Sequence, residues 1–192
     1  INSDRLVWKV EGPFDSNYSL SILNQKFCSS LAKENVEIYI NNTEGHGYYE
    51  PNIHYLKSNK IIFDLFNKTK NSDSIDILSR NLYPPRVEDM NAKINILHAY
   101  GWEESSIHSQ WVDDFNFYLS GMTVMSEYVK KVLIDNGVYI PIKVCGLGTD
   151  HFQNIIQDTE FNLKAKDFRF LHISSCFPRK GIKYLIEAYS QE

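Results

Sequence analysis

The fold is decided by residues 5–40, which read RLVWKVEGPFDSNYSLSILNQKFCSSLAKENVEIYI. RLVWKV combines β-branched and aromatic residues and predicts a strand, which Gly12 and Pro13 end. Ser19 is suited to cap a helix, and the alternation of VEIYI predicts a second strand. A strand, a helix and a strand in this order require a right-handed crossover, so we predict a parallel sheet. The predicted helix has one apolar face, formed by Leu20, Leu23, Phe27 and Leu31.

The same alternation of strands and helices continues along the chain. Further strands are predicted at Ile75–Leu78, Lys93–Ala99, Gly121–Met125 and Ile142–Cys145. Helices are predicted around Ile61–Asn67, at Gln110–Tyr118, and after the N-cap Ser126 up to Gly137. This order predicts an α/β fold with an open, doubly wound, mostly parallel sheet and helices on both faces. Ligands of such sheets bind beyond the carboxyl ends of the strands, so we expect the site in the loops there.

Composition and charge limit the kinds of partner. With 192 residues, of which 43% are hydrophobic, the chain can bury a sizeable core. The net charge is −4, from 20 Lys and Arg against 24 Asp and Glu, and no basic block is interleaved with aromatics, so we expect no nucleic-acid partner. Aromatic residues make up 14%, and Tyr and Trp in loops are typical of surfaces that stack on sugars.

The cysteines indicate the cellular compartment, and the absence of known motifs limits which cofactors are expected. Cys28, Cys145 and Cys176 are few, odd in number and far apart, which favours free thiols in a reducing compartment and hence a cytoplasmic protein. No GxGxxG follows the first strand, there is no Walker A sequence, and the six His are scattered, so we expect neither a dinucleotide cofactor nor a metal. The chain begins at Ile1 and not at Met, so we expect a fragment.

A basic loop precedes the last predicted helix. FRFLHISS (168–175) predicts a strand and CFPRKG (176–181) a loop, before a helix with Ile182, Leu185, Ile186 and Tyr189 on its buried face. Arg179 and Lys180 therefore lie at a helix N-terminus, where cations are unfavourable by up to ~1 kcal/mol each. An anion bound there reverses the sign, which favours a phosphate-bearing ligand. The alternative is an exposed basic turn without a ligand, and the sequence of this loop, taken by itself, favours that alternative.

Six segments in this order resemble retaining glycosyltransferases of the GT-B architecture, family four. The segments are Glu11–Asn24, Arg80–Arg86, Tyr100–Val112, Met125–Val129, Gly146–Phe152 and Phe177–Ala188. The third resembles the WEES…W segment of one bacterial branch, and the last resembles the R-x-x-x-K-G…L-I-x-A stretch that begins the donor domain. The chain departs from that last motif at one position. The first Arg of the motif corresponds to about Cys176 in this chain, and an Arg stands directly before Lys180 instead.

The resemblance implies a two-domain enzyme with facing Rossmann-like domains. Residues 1–160 would be the N-terminal, acceptor-binding domain, which is one half of the GT-B fold, and residues 161–192 the hinge and the first β-α unit of the donor-binding domain. A sugar would pass from a nucleotide-sugar donor to a glycan or glycoconjugate acceptor, with retention and with neither metal nor cofactor. Peripheral membrane association is compatible with the family, although the chain shows no amphipathic basic helix. The fragment alone is expected to be inactive.

The resemblance also implies roles for individual residues on the donor side and the acceptor side. Arg179 and Lys180 would bind the donor diphosphate, and Gly12 would let the first loop approach it closely; for Gly12 the alternative is an ordinary turn that ends a strand. His98 and Glu103 are the candidate catalytic residues. The acceptor would be bound by Pro13, Phe14, Asp15, Tyr83, Trp102 and Glu104.

Several of these roles have a structural alternative. His98 could equally be a hydrogen-bonded core histidine, because Leu97 and Ala99 would point to the opposite face of a regular strand. Glu103 and Glu104 are adjacent, cannot both face one site, and could form a solvated acidic loop. Tyr83 and Trp102 could stack on sugars or pack in the core.

Three hypotheses for the whole protein remain open. The first is a glycosyltransferase for a cell-envelope polysaccharide or glycoconjugate. The second is a glycosyltransferase-like module that binds a glycan or a protein without transfer. The third is an unrelated flavodoxin-like or regulatory α/β domain. The sequence beyond Glu192 would separate the first two hypotheses, and a 168–175 strand inside the main sheet would favour the third.

Overall fold

A computed structural model describes residues 5–45, 49–68, 75–149, 152, 155–156, 158–160 and 168–191. The chain divides into two compact units, residues 1–148 and 149–192. The strands are β1 (Leu6–Gly12), β2 (Val36–Asn42), β3 (Ile77–Arg80), β4 (Ile94–Tyr100), β5 (Gly121–Val124) and β6 (Ile142–Val144). The helices are α1 (Ser19–Leu31), α2 (Ile53–Leu56), α3 (Lys60–Phe66), α4 (Ser109–Tyr118), α5 (Glu127–Asp135) and α6 (Ile182–Ser190).

The six strands form one sheet in the order β2-β1-β3-β4-β5-β6. Every pairing among them is parallel, from β1 with β2 at one edge to β5 with β6 at the other. The predicted α/β fold, a Rossmann-like doubly wound sheet flanked by helices, is therefore confirmed. After β1 the chain runs outward to β2 and then returns to the other side of β1 as β3, which places the topological switch point between β1 and β3.

Two hydrophobic clusters hold the helices against the sheet. One joins β1 and β2 to α1, α2 and α3, with Val10, Phe14 and Ile62 fully buried. The other joins β3, β4 and β5 to α4 and α5, with Phe115, Val124 and Leu133 fully buried. Burying a whole side chain of this size contributes about 1.5–3 kcal/mol to the free energy of folding, so both groups of helices are firmly attached to the sheet.

Most predicted elements occur where the sequence places them, with two differences in the first unit. β3 begins two residues later than predicted and includes Ser79 and Arg80, because both polar side chains find partners on β1: Ser79 accepts from Trp8 Nε1 at 2.8 Å, and Arg80 pairs with Glu11. On α1 the fully buried residues are Ser21, Asn24 and Cys28, whereas the predicted apolar face is only half-buried.

The second unit has a short basic turn and a helix. α6 confirms the predicted helix, but residues 168–175 form no strand, so that prediction is wrong. A strand requires a neighbour for its backbone groups, and the described part of this unit offers none. The prediction that this helix has a buried face is also wrong, because Ile186 and Tyr189 on that face are 61% and 59% exposed.

The predicted domain boundary at residue 160 stays a prediction. Asp150 and His151, in the family-like segment Gly146–Phe152, lie outside the described residues. Within the part of the chain that is described, no helix has both the length and the apolar character needed to cross a bilayer.

Candidate functional site

Gly12 closes β1 at the switch point and lies in close backbone contact with the loop after β3. Its φ of 150° belongs to the region that favours glycine. A Cβ at this position would lie 2.3 Å from the Asn81 carbonyl oxygen and 2.4 Å from Asn24 Nδ2. The predicted close approach at Gly12 is therefore an approach to the protein's own Asn81 and Asn24.

Asn24, Asn81 and His98 form a buried hydrogen-bonded set, which we call the amide cluster. Asn24 Nδ2 donates to the carbonyls of Pro13 at 3.1 Å and Asn81 at 3.0 Å. Asn81 Nδ2 donates to the carbonyls of His98 at 2.9 Å and Ala99 at 3.3 Å. The cluster thus ties α1 to the carboxyl ends of β1, β3 and β4.

The hydrogen bonds of Asn24 fix the protonation of His98. Because Asn24 Nδ2 already donates to two carbonyls, its Oδ1 faces His98 Nε2 at 2.9 Å, so Nε2 is the donor and carries the proton. His98 is 2% exposed, and its ring stacks on Phe27 at 4.3 Å. Burial lowers the pKa of His98 from 6.5 to about 3, so the imidazole is neutral at pH 7. The structure places this candidate catalytic residue inside the protein.

The candidate acceptor residues Pro13, Phe14 and Asp15 are buried in the first loop. The backbone N–H of Phe14 donates to Asn42 Oδ1 at 2.6 Å. The Asp15 carboxylate accepts from the Tyr49 hydroxyl at 2.7 Å and from the backbone N–H of Asn52 at 2.7 Å. Burial and this carboxylate together raise the pKa of Tyr49. Asp15 therefore holds the segment after β2 against the loop after β1.

This arrangement predicts the effect of Asp15→Asn. The amide keeps an oxygen for both donors but loses the negative charge that strengthens both bonds, so we expect the free energy of unfolding to fall by about 1–3 kcal/mol. The variant's thermal midpoint should fall by about 2–4 °C per kcal/mol. Asp113→Asn, at an exposed position of α4, is the control and should change little. An unchanged midpoint for Asp15→Asn would show that its carboxylate does not hold the loop.

A buried ion network joins the ends of β1 and β3 on the face of the sheet opposite the amide cluster. Arg80 donates from Nε to Glu11 at 2.9 Å and from a terminal nitrogen to Asp89 at 2.6 Å, and Lys9 pairs with Glu11 at 2.6 Å. Burial opposes ionisation of Glu11, but the charges of Arg80 and Lys9 outweigh it, and the pKa of Glu11 lies below its usual value. This network keeps Glu11 charged directly before Gly12.

Four aromatic side chains meet beyond the carboxyl ends of β3 and β4, and we call them the aromatic corner: Tyr83, Tyr100, Trp102 and Trp111. Trp102 lies parallel to Tyr100 with ring centroids 6.5 Å apart and meets Trp111 edge-to-face at 5.6 Å. Tyr83 meets Trp111 edge-to-face at 6.3 Å and is 62% exposed. Trp102 Nε1 donates to the Ser106 carbonyl at 2.8 Å, which fixes its ring.

The structure therefore brings the candidate residues together in two groups. Gly12, Pro13 and His98 meet through Asn24, and Tyr83 and Trp102 meet through Trp111. Glu103 and Glu104 lie on the exposed loop that follows Gly101. Among the described residues, no three His, Cys, Asp or Glu side chains are placed to hold a metal ion.

The basic turn belongs to the second unit. Pro178–Lys180 form one 3₁₀ turn, and α6 begins directly after Gly181. Arg179 and Lys180 are both exposed, and the Arg179 guanidinium carbon lies 5.9 Å from the Phe177 ring centroid. The structure thus has two cations directly before the N-terminus of a helix, as predicted.

Sequence reasoning gave no role to Trp111, Tyr100 or Asn81. Trp111 stands in an amphipathic helix and Tyr100 at the end of a strand, where aromatics usually indicate core. Only the contacts between distant segments reveal their arrangement. Comparisons with models of known protein families, with curated proteins and with solved structures find no significant match to this chain.

Proposed function

We propose that this chain provides the acceptor-binding part of a retaining GT-B glycosyltransferase. The enzyme would transfer a sugar from a nucleotide-sugar donor to a glycan or glycoconjugate acceptor. The proposal draws on the order of the family-like segments in the sequence and on the doubly wound parallel sheet, whose strand ends are where ligands of such folds bind.

The aromatic corner is the observation that carries the proposal. It lies at the carboxyl ends of β3 and β4, and Tyr83 offers an exposed ring face there. An aromatic ring can stack on the C–H face of a sugar while its polar tip bonds a hydroxyl. Glu103 and Glu104 stand on the adjoining loop, where carboxylates can accept hydrogen bonds from acceptor hydroxyls.

On the donor side, the proposal assigns the diphosphate to Arg179 and Lys180. Leaving-group charge that develops on a diphosphate is stabilised by cations and by the N–H groups of a helix N-terminus. Both are present where the basic turn meets α6.

Calorimetry with the full-length protein tests the assignment. UDP-glucose, GDP-mannose and ADP-glucose are titrated in turn, and we expect one of them to bind. Lys180→Ala should then weaken binding about ten-fold or more, since it removes a charge-assisted hydrogen bond, and added salt should weaken binding to the unaltered protein. Lys143→Ala, at an exposed position of β6, is the matched control and should bind normally. Unchanged affinity for Lys180→Ala would overturn the donor assignment.

A glycan-binding module without transfer is the second candidate. The burial of His98 favours it, because a buried neutral imidazole is poorly placed to exchange a proton with a substrate. Release of free nucleotide from a bound nucleotide-sugar in the presence of acceptor would support the transferase. Binding of the glycan without such release would support the module.

A further inference from the structure

A bulge at the end of β4 redirects one aromatic side chain. Leu97 pairs with Met122 and Tyr100 pairs with Val124, so β4 has one residue more than β5 over this interval. The extra residue is accommodated at Ala99, whose φ is 47°. In a regular strand, Leu97 and Tyr100 would point to opposite faces. Here both belong to the hydrophobic cluster under α4 and α5.

The backbone at Ala99 is strained, and two neighbours hold it. An alanine in the left-handed region is disfavoured, because its Cβ comes too close to the following carbonyl oxygen. Its N–H donates to Thr123 Oγ1 at 2.8 Å, and its carbonyl accepts from Asn81 Nδ2 at 3.3 Å. Bulges and strained residues concentrate at binding sites, where they aim a side chain that a regular strand would misplace. The side chain aimed by this bulge is Tyr100.

The Tyr100 hydroxyl is buried without a partner. The residue is 7% exposed, and its oxygen has no hydrogen-bond partner among the residues that the structure describes. Burial, assisted by the nearby Tyr83 phenol, raises the pKa of Tyr100, so the hydroxyl keeps its proton and is available as a donor. Nearly all buried hydroxyls in folded proteins are paired, so an unpaired one at a candidate site points to a ligand group.

We propose that the aromatic corner is a subsite for one pyranose ring and that the Tyr100 hydroxyl bonds one of its hydroxyls. Tyr83 and Trp111, which meet edge-to-face, provide the walls against which the sugar packs. Tyr83 is the exposed member of the corner, so a sugar would enter past its side chain to reach the Tyr100 hydroxyl. The inference rests on the proposed function for the chemical class of the ligand.

The chemistry of the corner favours a neutral sugar over other ligands. A purely apolar ligand would leave the Tyr100 hydroxyl unpaired. A phosphate or another anion would be repelled by the exposed Glu104 carboxylate on the adjoining loop. A neutral pyranose has both an apolar C–H face and hydroxyls, and matches the rings and the phenol together.

The three tryptophans allow a direct test in the 192-residue chain. Incorporation of 5-fluorotryptophan gives one ¹⁹F NMR signal each for Trp8, Trp102 and Trp111, and Trp→Phe variants assign them. The probes are the methyl glycosides of glucose, galactose, mannose and N-acetylglucosamine at millimolar concentrations. We expect at least one glycoside to shift the Trp102 and Trp111 signals. Trp8, which packs against Phe27 under α1, is the internal reference and should not shift. Failure of all four probes to move Trp111 would overturn the subsite.

Tyr100→Phe tests the hydroxyl itself through two opposite effects. Affinity for the responding glycoside should fall about ten-fold, which corresponds to about 1.4 kcal/mol. The thermal midpoint of the free variant should be at least as high as that of the unaltered protein, because a buried unpaired hydroxyl has been removed. Tyr139→Phe, at a position 79% exposed, controls for the loss of a tyrosine hydroxyl and should change neither quantity. Unchanged affinity or a lowered midpoint for Tyr100→Phe would overturn the role of this hydroxyl.

The subsite and the transferase assignment fail in different ways. Glycoside binding at the corner without nucleotide-sugar binding by the full-length protein would overturn the transferase and leave the subsite standing. Nucleotide-sugar binding that depends on Lys180, without a glycoside response at Trp102 and Trp111, would overturn the subsite alone.

Discussion

Gly12→Ala is expected to destabilise the first unit by at least about 3 kcal/mol, through backbone strain and steric overlap acting together. The new methyl group would lie 2.3 Å from the Asn81 carbonyl oxygen, a backbone atom, and 2.4 Å from Asn24 Nδ2. Neither group can withdraw easily, because Asn24 and Asn81 are held by the amide cluster. Thermal unfolding should show a midpoint about 6–12 °C lower.

Gly45→Ala measures the cost of an alanine at a positive φ without any steric overlap. Gly45 also has a positive φ, 60°, but a Cβ there would meet nothing within 4 Å. Its alanine variant should therefore lose only the conformational preference, about 1 kcal/mol. Equal losses for the two variants would show that the close approach at the switch point adds nothing to stability.

Acidification from neutral pH to pH 5 is expected to cost the first unit about 2 kcal/mol through His98. The pKa of His98 is about 3 in the folded chain and 6.5 ordinarily. Between these two pH values the unfolded chain therefore binds a proton at this residue and the folded chain does not. The stabilisation is complete above pH 6.5 and is lost progressively as the pH falls toward 3. Chemical denaturation between pH 7 and pH 5 measures this loss.

The choice of pH window isolates His98 from the carboxylates. The pKa values of Glu11 and Asp89 are lowered, from 4.5 and 3.8, so these groups lose their stabilising charge only at more acidic pH. His98→Asn keeps a side-chain donor for Asn24 but cannot titrate. We expect this variant to be less stable at pH 7 and to show no further loss down to pH 5. A loss of about 2 kcal/mol that persists in the variant would assign the effect to another group.

Local patterns predicted the framework well because the fold repeats one unit. The alternation of VEIYI, the N-cap Ser126 and the apolar run at β4 each depend on neighbours in sequence, and each element occurs in the structure. β3 was shifted because Ser79 and Arg80 look like loop residues until their partners on β1 are known. Contacts between distant segments outweigh local preference there.

The candidate site was harder to predict, for the same reason. Asp15 has the residue type of a ligand contact, but its carboxylate is bound by Tyr49 and Asn52, more than thirty residues away in sequence. The alternation of a regular strand predicts that Tyr100 and Leu97 point to opposite faces of the sheet. Only the bulge at Ala99 brings Tyr100 to the same face as Leu97. Sequence patterns specify which residues can perform chemistry, whereas register and loop packing determine which of them reach a ligand.

The distribution of the thiols has a practical consequence. Cys28 is fully buried and its pKa is raised by burial, so it reacts poorly with maleimides, whereas Cys145 and Cys176 are exposed. Cys145 belongs to the first unit and Cys176 to the second. The unaltered chain therefore accepts one spectroscopic label on each unit. A nitroxide pair at these two positions would allow pulsed electron spin resonance to measure the distance between them with and without an added nucleotide-sugar.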